Sequence, residues 1–252
     1  GAWGHALGGM GSITKIMKTV CEENGVDIST KTSVSKVLIE NNKAIGVKID
    51  DGSVIHSDKV VSNLNPKLLF SKLVNEEDVD KEYLRKILNY KCGSGTFRMN
   101  VALSELPDFS CLPGKIASDH HKSGIVIAPT LTYMDKAFTD AKQYGWSKNP
   151  IVEMLIPSTV DPSLAPKDKH VASLFCQQFA PVLPRDKSWH DEKESAANTI
   201  IDTVNKFAPN FKESILGKSI LSPLDLEEKL GLVGGDIMPV SYTHLRAHET
   251  VV

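Results

Sequence analysis

The residues with the clearest chemical potential stand near the start of the chain, where Gly8, Gly9 and Gly11 lie within GHALGGMG. Glycines at this density let a backbone turn tightly, or pass close to a neighbour or a flat ligand, because no Cβ intervenes. The run is not a GxGxxG fingerprint after a strand, so the pattern leaves a tight turn and a dinucleotide-facing loop both open. His120 and His121 are metal-ligand residue types. Adjacent side chains in a loop diverge, however, and no carboxylate or cysteine recurs at ligand spacing, so the pair reads as solvated loop and no metal site is expected. Ser94, in Cys92-Gly93-Ser94-Gly95, lacks the GxSxG spacing of a nucleophile elbow and reads as a strand entry. Cys21, Cys92, Cys111 and Cys176 form no CxxC pair, which points to buried reduced thiols rather than zinc or a dithiol centre. Asp161-Pro162-Ser163 and the prolines at 181 and 184 are turn chemistry.

The elements that must position these residues follow from periodicity. Ile13, Ile16, Met17 and Val20 fall at helical spacing, with Ser12 as an expected N-cap and Gly25 as the terminator, predicting a helix over 12–24. Short β-rich runs follow at 26–28, 34–39, 44–49, 53–56 and 59–62, with 34–39 and 44–49 paired across the 40–43 turn. From Asn65-Pro66 to about Tyr90 the pattern is helical. Strands are then expected at 96–103, 124–128, 151–156 and 171–179, in a mixed or antiparallel sheet, with helices over 133–144 and 188–207.

Composition sets outer limits. The 252 residues are 41% apolar and 24% charged, which is ordinary globular usage and enough for a substantial core. A formal charge of −2, without basic runs, leaves no footprint for nucleic acid. No apolar run approaches the ~20 residues of a membrane span. A reducing aqueous compartment fits the thiols: cytoplasm by default, or the mitochondrial matrix for a eukaryotic source.

Both ends look non-native. The chain opens on a loop entering a helix, so the true beginning is expected upstream. At the other end, PVSYTHLRAHET lacks periodicity, carries His244 and His248, and resembles a translated transposase-type sequencing adapter. Authentic protein is expected to stop near Met238, and those histidines are excluded from any site.

The segment GGMGSITKIMKTVCEENGVDISTKTSVSKVLIENNKAIGVKIDDGSVIHSDKVVSNLNP resembles the middle of phytoene-desaturase-like flavoproteins, a branch of the FAD-dependent amine-oxidase superfamily. SGTFRMNVALSELPDF, PIVEMLIPSTVDPSLAPKDKHVASLFCQQFAP and FAPNFKESILGKSILSPLDLEEKLGLVGGDI extend the likeness through essentially all of residues 1–238. The resemblance implies an α/β plus α+β fold: part of a split Rossmann-type FAD domain over 1–64, and a mixed-sheet and helical substrate domain over 65–238. It implies FAD as cofactor and a small-molecule or lipophilic substrate that gives up hydride to the flavin. Gly8, Gly9 and Met10 match the family's loop near the flavin. Val34 matches a strand position whose main chain holds the adenine edge, although ordinary strand core also accounts for its side chain. Asn63 matches the return beside the cofactor domain, and a turn-capping Asn explains it equally. The resemblance implies no catalytic acid or base in this fragment, because in the family the cofactor performs the redox step; the family's pyrophosphate-binding fingerprint is not in this sequence, so the fragment alone is expected to bind no FAD stably and to be inactive. A non-catalytic interaction module on the same scaffold is the alternative.

Overall fold

A computed structural model describes residues 4–237, so the expected adapter-derived tail at 239–252 lies outside the described residues. The chain divides into two compact units: the N-terminal residues through Glu23 together with Gly93–Asp236, and Asn24–Cys92.

In the first unit, helix α1 spans Gly11–Glu23. It begins one residue before the expected cap. Ser12 donates its hydroxyl to the Gly9 carbonyl at 2.7 Å rather than accepting a helix N–H. The predicted apolar stripe exists but is not buried: Ile13, Ile16, Met17 and Val20 are all exposed.

The second unit is built on a three-stranded antiparallel meander, β1 (Val34–Glu40), β2 (Lys43–Ile49) and β3 (Val54–His56), with β2 in the centre. Asn41 and Asn42 turn the β1–β2 hairpin with φ of 51° and 62°. Two consecutive positive φ values are what a two-residue loop needs to match the twist of its strands, and Asn tolerates them. The expected strands at 26–28 and 59–62 do not form. Their β-branched residues suit extended backbone, but a strand exists only through a ladder, and neither segment has one among the described residues. After the meander, Asn65 caps a short helix α2 (Pro66–Leu68) by accepting from the Lys67 N–H at 2.9 Å. A π-helical turn, Leu69–Leu73, continues it, and α3 (Lys81–Asn89) is capped by Asp80.

The rest of the first unit is a five-stranded sheet in the order β5-β6-β7-β4-β8, antiparallel throughout. Its strands are β4 (Thr96–Leu103), β5 (Ile125–Ile127), β6 (Trp146–Leu155), β7 (His170–Phe179) and β8 (Ile215–Leu221). Helices α4 (Asp119–Lys122), α5 (Leu131–Tyr144), α6 (Trp189–Phe207), α7 (Phe211–Ser214) and α8 (Pro223–Leu230) complete it. Strict alternation decides the faces. Along β4, Phe97, Met99, Val101 and Leu103 are buried, while Arg98, Asn100 and Ala102 turn to the other side. The buried face packs with Leu174 and Cys176 of β7, Val152 and Met154 of β6, and Ala197, Ile200 and Val204 of α6. Phe97, Phe179 and Trp189 meet at centroid distances of 5.1–6.3 Å, within the range of favourable aromatic pairs.

Candidate cofactor site

The glycine loop is the first sequence-selected feature. Gly8 and Gly9 have φ of 80° and 83°, in the left-handed region that side chains with a Cβ avoid, so both must be glycine for the loop to enter α1 as it does. A Cβ on Gly9 would meet only Leu164 Cδ2, at 3.4 Å, so it is the backbone conformation and not crowding that calls for glycine there. Met10 follows with its side chain exposed.

What fixes this loop is Asp161, whose carboxylate accepts the Gly8 N–H at 2.7 Å, 153 residues away in sequence. The same carboxylate takes the Ser163 hydroxyl at 2.6 Å and the Ser163 N–H at 3.0 Å. The Ser163 hydroxyl holds the carboxyl below its ordinary range; burial opposes this, and the N–H groups of Ser163, Gly8 and Gly9 add to it. Asp161 is 1% exposed, an ionised carboxylate closed over by N–H and O–H donors. Sequence reasoning took Asp161-Pro162-Ser163 as turn chemistry, and so it is: Asp161 caps the 3₁₀ turn Pro162–Leu164. Its long-range tie to Gly8 carries no local signal.

In the Asn24–Cys92 unit, Val34 and Asn63 line one cavity of about 640 Å³. Its walls include Val37 and Val47 from the meander, Ile55 from β3, and Leu69 and Leu73 from the π turn. β1 is an edge strand, so alternate main-chain donors and acceptors point away from β2. Its pairing with β2 shifts register between Val34 and Lys36. Residues 29 apart in the chain thus face a common space, lined by residues of all three strands of the meander and of the segment that follows it.

The histidine pair departs from expectation. His120 and His121 lie on α4, not in an irregular loop, and His121 is fully buried. The rings do not diverge: their centroids are 3.9 Å apart. His121 Nδ1 accepts the Ser118 N–H at 3.3 Å and Nε2 faces the Pro107 carbonyl at 2.9 Å. Those partners engage both ring nitrogens, so neither is directed at a metal. Among the described residues no group of three or more His, Cys, Asp or Glu is placed to hold a metal ion. Ser94, expected at a strand entry, lies two residues before β4 with its hydroxyl 3.2 Å from that of Thr96. Cys176 is buried as expected, whereas Cys111 is exposed and Cys21 and Cys92 are intermediate; all four are free thiols.

The profile of the family described as "Flavin containing amine oxidoreductase" matches residues 3–96. The chain is 34% identical to pyridine nucleotide-disulfide oxidoreductase domain-containing protein 2 of Rattus norvegicus, over 94% of the chain and 42% of that protein. It is 26% identical to prolycopene isomerase 2 of an Oncidium hybrid cultivar, over 88% of the chain and 35% of that protein. Among solved structures, an oxidoreductase from Methanosarcina mazei superposes with a TM-score of 0.59 at 22% identity, over 86% of the chain and 43% of its own. These likenesses support a phytoene-desaturase-like protein of the flavin amine-oxidase superfamily. They support FAD as the cofactor, and the chain spans about two fifths of the length of the relatives it matches.

The residues present fit such a cofactor in two separate places. The cavity at Val34 offers a partly apolar space, and β1, which contributes Val34 to it, has a free strand edge of the kind that suits a base with adjacent donor and acceptor atoms. The Gly8–Gly9 backbone, bare of side chains, permits close approach of a planar ring.

Proposed function

We propose that this chain is part of an FAD-dependent oxidoreductase that removes hydride from a small or lipophilic organic substrate. In this reading residues 1–64 contribute to the FAD domain and 65–238 to the substrate domain, a functional division that differs from the division into compact units. The bound flavin supplies the redox chemistry, accepting the hydride equivalent. The protein's own residues bind and orient. The β1 edge at Val34 holds the adenine through its main chain, Asn63 closes the same cavity, and Gly8, Gly9 and Met10 form the loop at the flavin ring. No side chain of this chain is assigned as acid or base. Orientation and exclusion of water are the work expected of the protein where the cofactor performs the bond-making step. Because the sequence has no GxGxxG fingerprint to cradle a pyrophosphate, the 252-residue chain by itself does not retain FAD.

The observation that carries the reading is that Val34 and Asn63, singled out separately for an adenine contact and a return beside the cofactor domain, line one cavity. The test is flavin uptake by the full-length parent, followed by its visible absorption. Val34→Trp fills the cavity from a partly exposed position and is expected to weaken FAD binding at least ~10-fold, a loss of about 1.4 kcal/mol, with the far-UV circular dichroism unchanged. A folded full-length parent that takes up no flavin, or a Val34→Trp variant that binds it normally, would overturn the assignment.

A further inference from the structure

The second face of the five-stranded sheet carries a row that the flavin reading leaves unused. Val126, Glu153, Phe175, Arg98 and Leu221 are successive register partners across β5, β6, β7, β4 and β8. Beside this row is a pocket of about 250 Å³, with Val126, Leu155 and Phe175 among its apolar walls and Arg98, Glu153 and Ser173 as its polar groups. The Arg98 guanidinium lies over the Phe175 ring at 5.2 Å from the centroid, and its Nη2 donates to Ser173 Oγ at 3.2 Å. Among the described residues Arg98 forms no ion pair. Glu153, the other charge in the pocket, is engaged by the Gln177 side-chain amide, its neighbour on the same face.

We propose that this pocket binds the carboxylate of a small amphipathic monoacid, with Arg98 as its anchor. A guanidinium carries five N–H donors in a planar fork, and the bond to Ser173 uses one of them, leaving donors to meet two carboxylate oxygens in parallel. Stacking on Phe175 and the bond to Ser173 fix the plane of that fork before a ligand arrives, so little rotamer entropy is lost on binding. Because Glu153 is engaged by Gln177 and forms no ion pair with Arg98, the partly buried guanidinium has lost hydration that an anionic ligand restores. The apolar walls accept a hydrocarbon chain, and the volume lies just below the ~300 Å³ at which pockets for drug-sized ligands begin, which suits a short acid or one end of a longer one. Glu153 disfavours a second carboxylate, which selects a monoacid over a diacid. That this acid is the substrate of the oxidoreductase rests on the function proposed above. Its binding does not, because every residue involved lies within one compact unit.

The experiment titrates the flavin-free 252-residue chain with hexanoate, hexan-1-ol and hexylamine, by calorimetry and by the NMR signal of the Arg98 guanidinium N–H. Saturable binding of hexanoate with a shift of that signal is expected, and neither the alcohol nor the amine should match it. Arg98→Gln should weaken hexanoate at least ~10-fold, Arg98→Lys should retain part of the affinity, and Leu155→Trp, which blocks the pocket while leaving Arg98 in place, should abolish binding. Absence of saturable hexanoate binding, hexanol binding as tightly as hexanoate, preference for hexylamine, or hexanoate affinity unchanged in Arg98→Gln would each overturn the proposal. Because no flavin is present, these outcomes are separate from success or failure of FAD uptake by the parent.

Discussion

Asp161 shows how much one side chain can organise. Its carboxylate ties the glycine loop to a distant turn, and Asp161→Asn, which keeps an acceptor but removes the charge, is expected to speed amide exchange at Gly8, as read by NMR. The sign of its pH dependence follows from a folded-state value below the ordinary carboxyl range. The stabilisation is fully present above the unfolded value of about 4 and is lost as pH falls through the lower folded value. Gly8 protection should therefore persist through neutral pH and fail only in acid; protection that fails on raising the pH from 5 to 8 would contradict this. Thiol reactivity is a second residue-scale test. Burial pushes the Cys176 thiol well above its ordinary value, Arg98 opposing and Glu153 reinforcing, while Cys111 is exposed. A maleimide should label Cys111 rapidly, and Cys176 only after denaturation.

At the scale of elements, caps and turns decide where helices stop and strands begin. Ser222 and Asp225 form a reciprocal capping box at α8, with Asp225 also paired to Lys193 and Lys229. Burial pushes the Asp225 carboxyl up, but the bonds from Lys229, Ser222 and Lys193 outweigh it, so the group stays ionised into strong acid. Ser222→Ala removes the cap and should cost about 1 kcal/mol in a urea titration. Gly145 joins α5 to β6 with φ of 99°, where a Cβ would overlap Leu183 Cδ2 at 2.6 Å. Gly145→Ala should therefore destabilise by about 1–3 kcal/mol, through both the left-handed backbone and the overlap. Strand β8 escaped sequence reasoning because ILGKSIL has a central glycine and lysine and no clean alternation. It is an edge strand paired on one side by β4, where packing requirements on the side chains are weakest.

For the whole molecule, stability of the larger unit rests on the single core that joins β4, β6, β7 and α6. Phe97 is at its centre, fully buried against Phe179 and Trp189. Phe97→Ala should cost about 3–5 kcal/mol, seen as an earlier tryptophan-fluorescence transition, since Trp146 and Trp189 stack beside it at 5.5 Å. A loss under about 1 kcal/mol would mean that this core does not govern the unit's unfolding. The smaller unit buries far less. Val37, Ile49, Leu84 and Ile87 are its buried apolar side chains among the described residues, while Val34 and Ile55 in the walls of its cavity are exposed.

The sequence alone determined the elements with strong local signals: the β1–β2 hairpin across its 40–43 turn, β4 as a long strand over 96–103, α6 as a long amphipathic helix opened by Ser188 or Asp191, and the family resemblance from the order of its motifs. Only the tertiary structure decided what those elements face. The apolar stripe of α1 was legible as periodicity, but periodicity identifies a face without saying what covers it. The segments at 26–28 and 59–62 have β-forming residues and no ladder, because pairing is a property of two chains of residues and not of one. His121 became a buried, doubly bonded imidazole through Pro107 and Ser118, Gly8 was joined to Asp161 across 153 residues, and Arg98 met Phe175 and Ser173 on another strand. Each of these contacts depends on strand order and register, which arise when the sheet assembles and leave no local trace in the sequence.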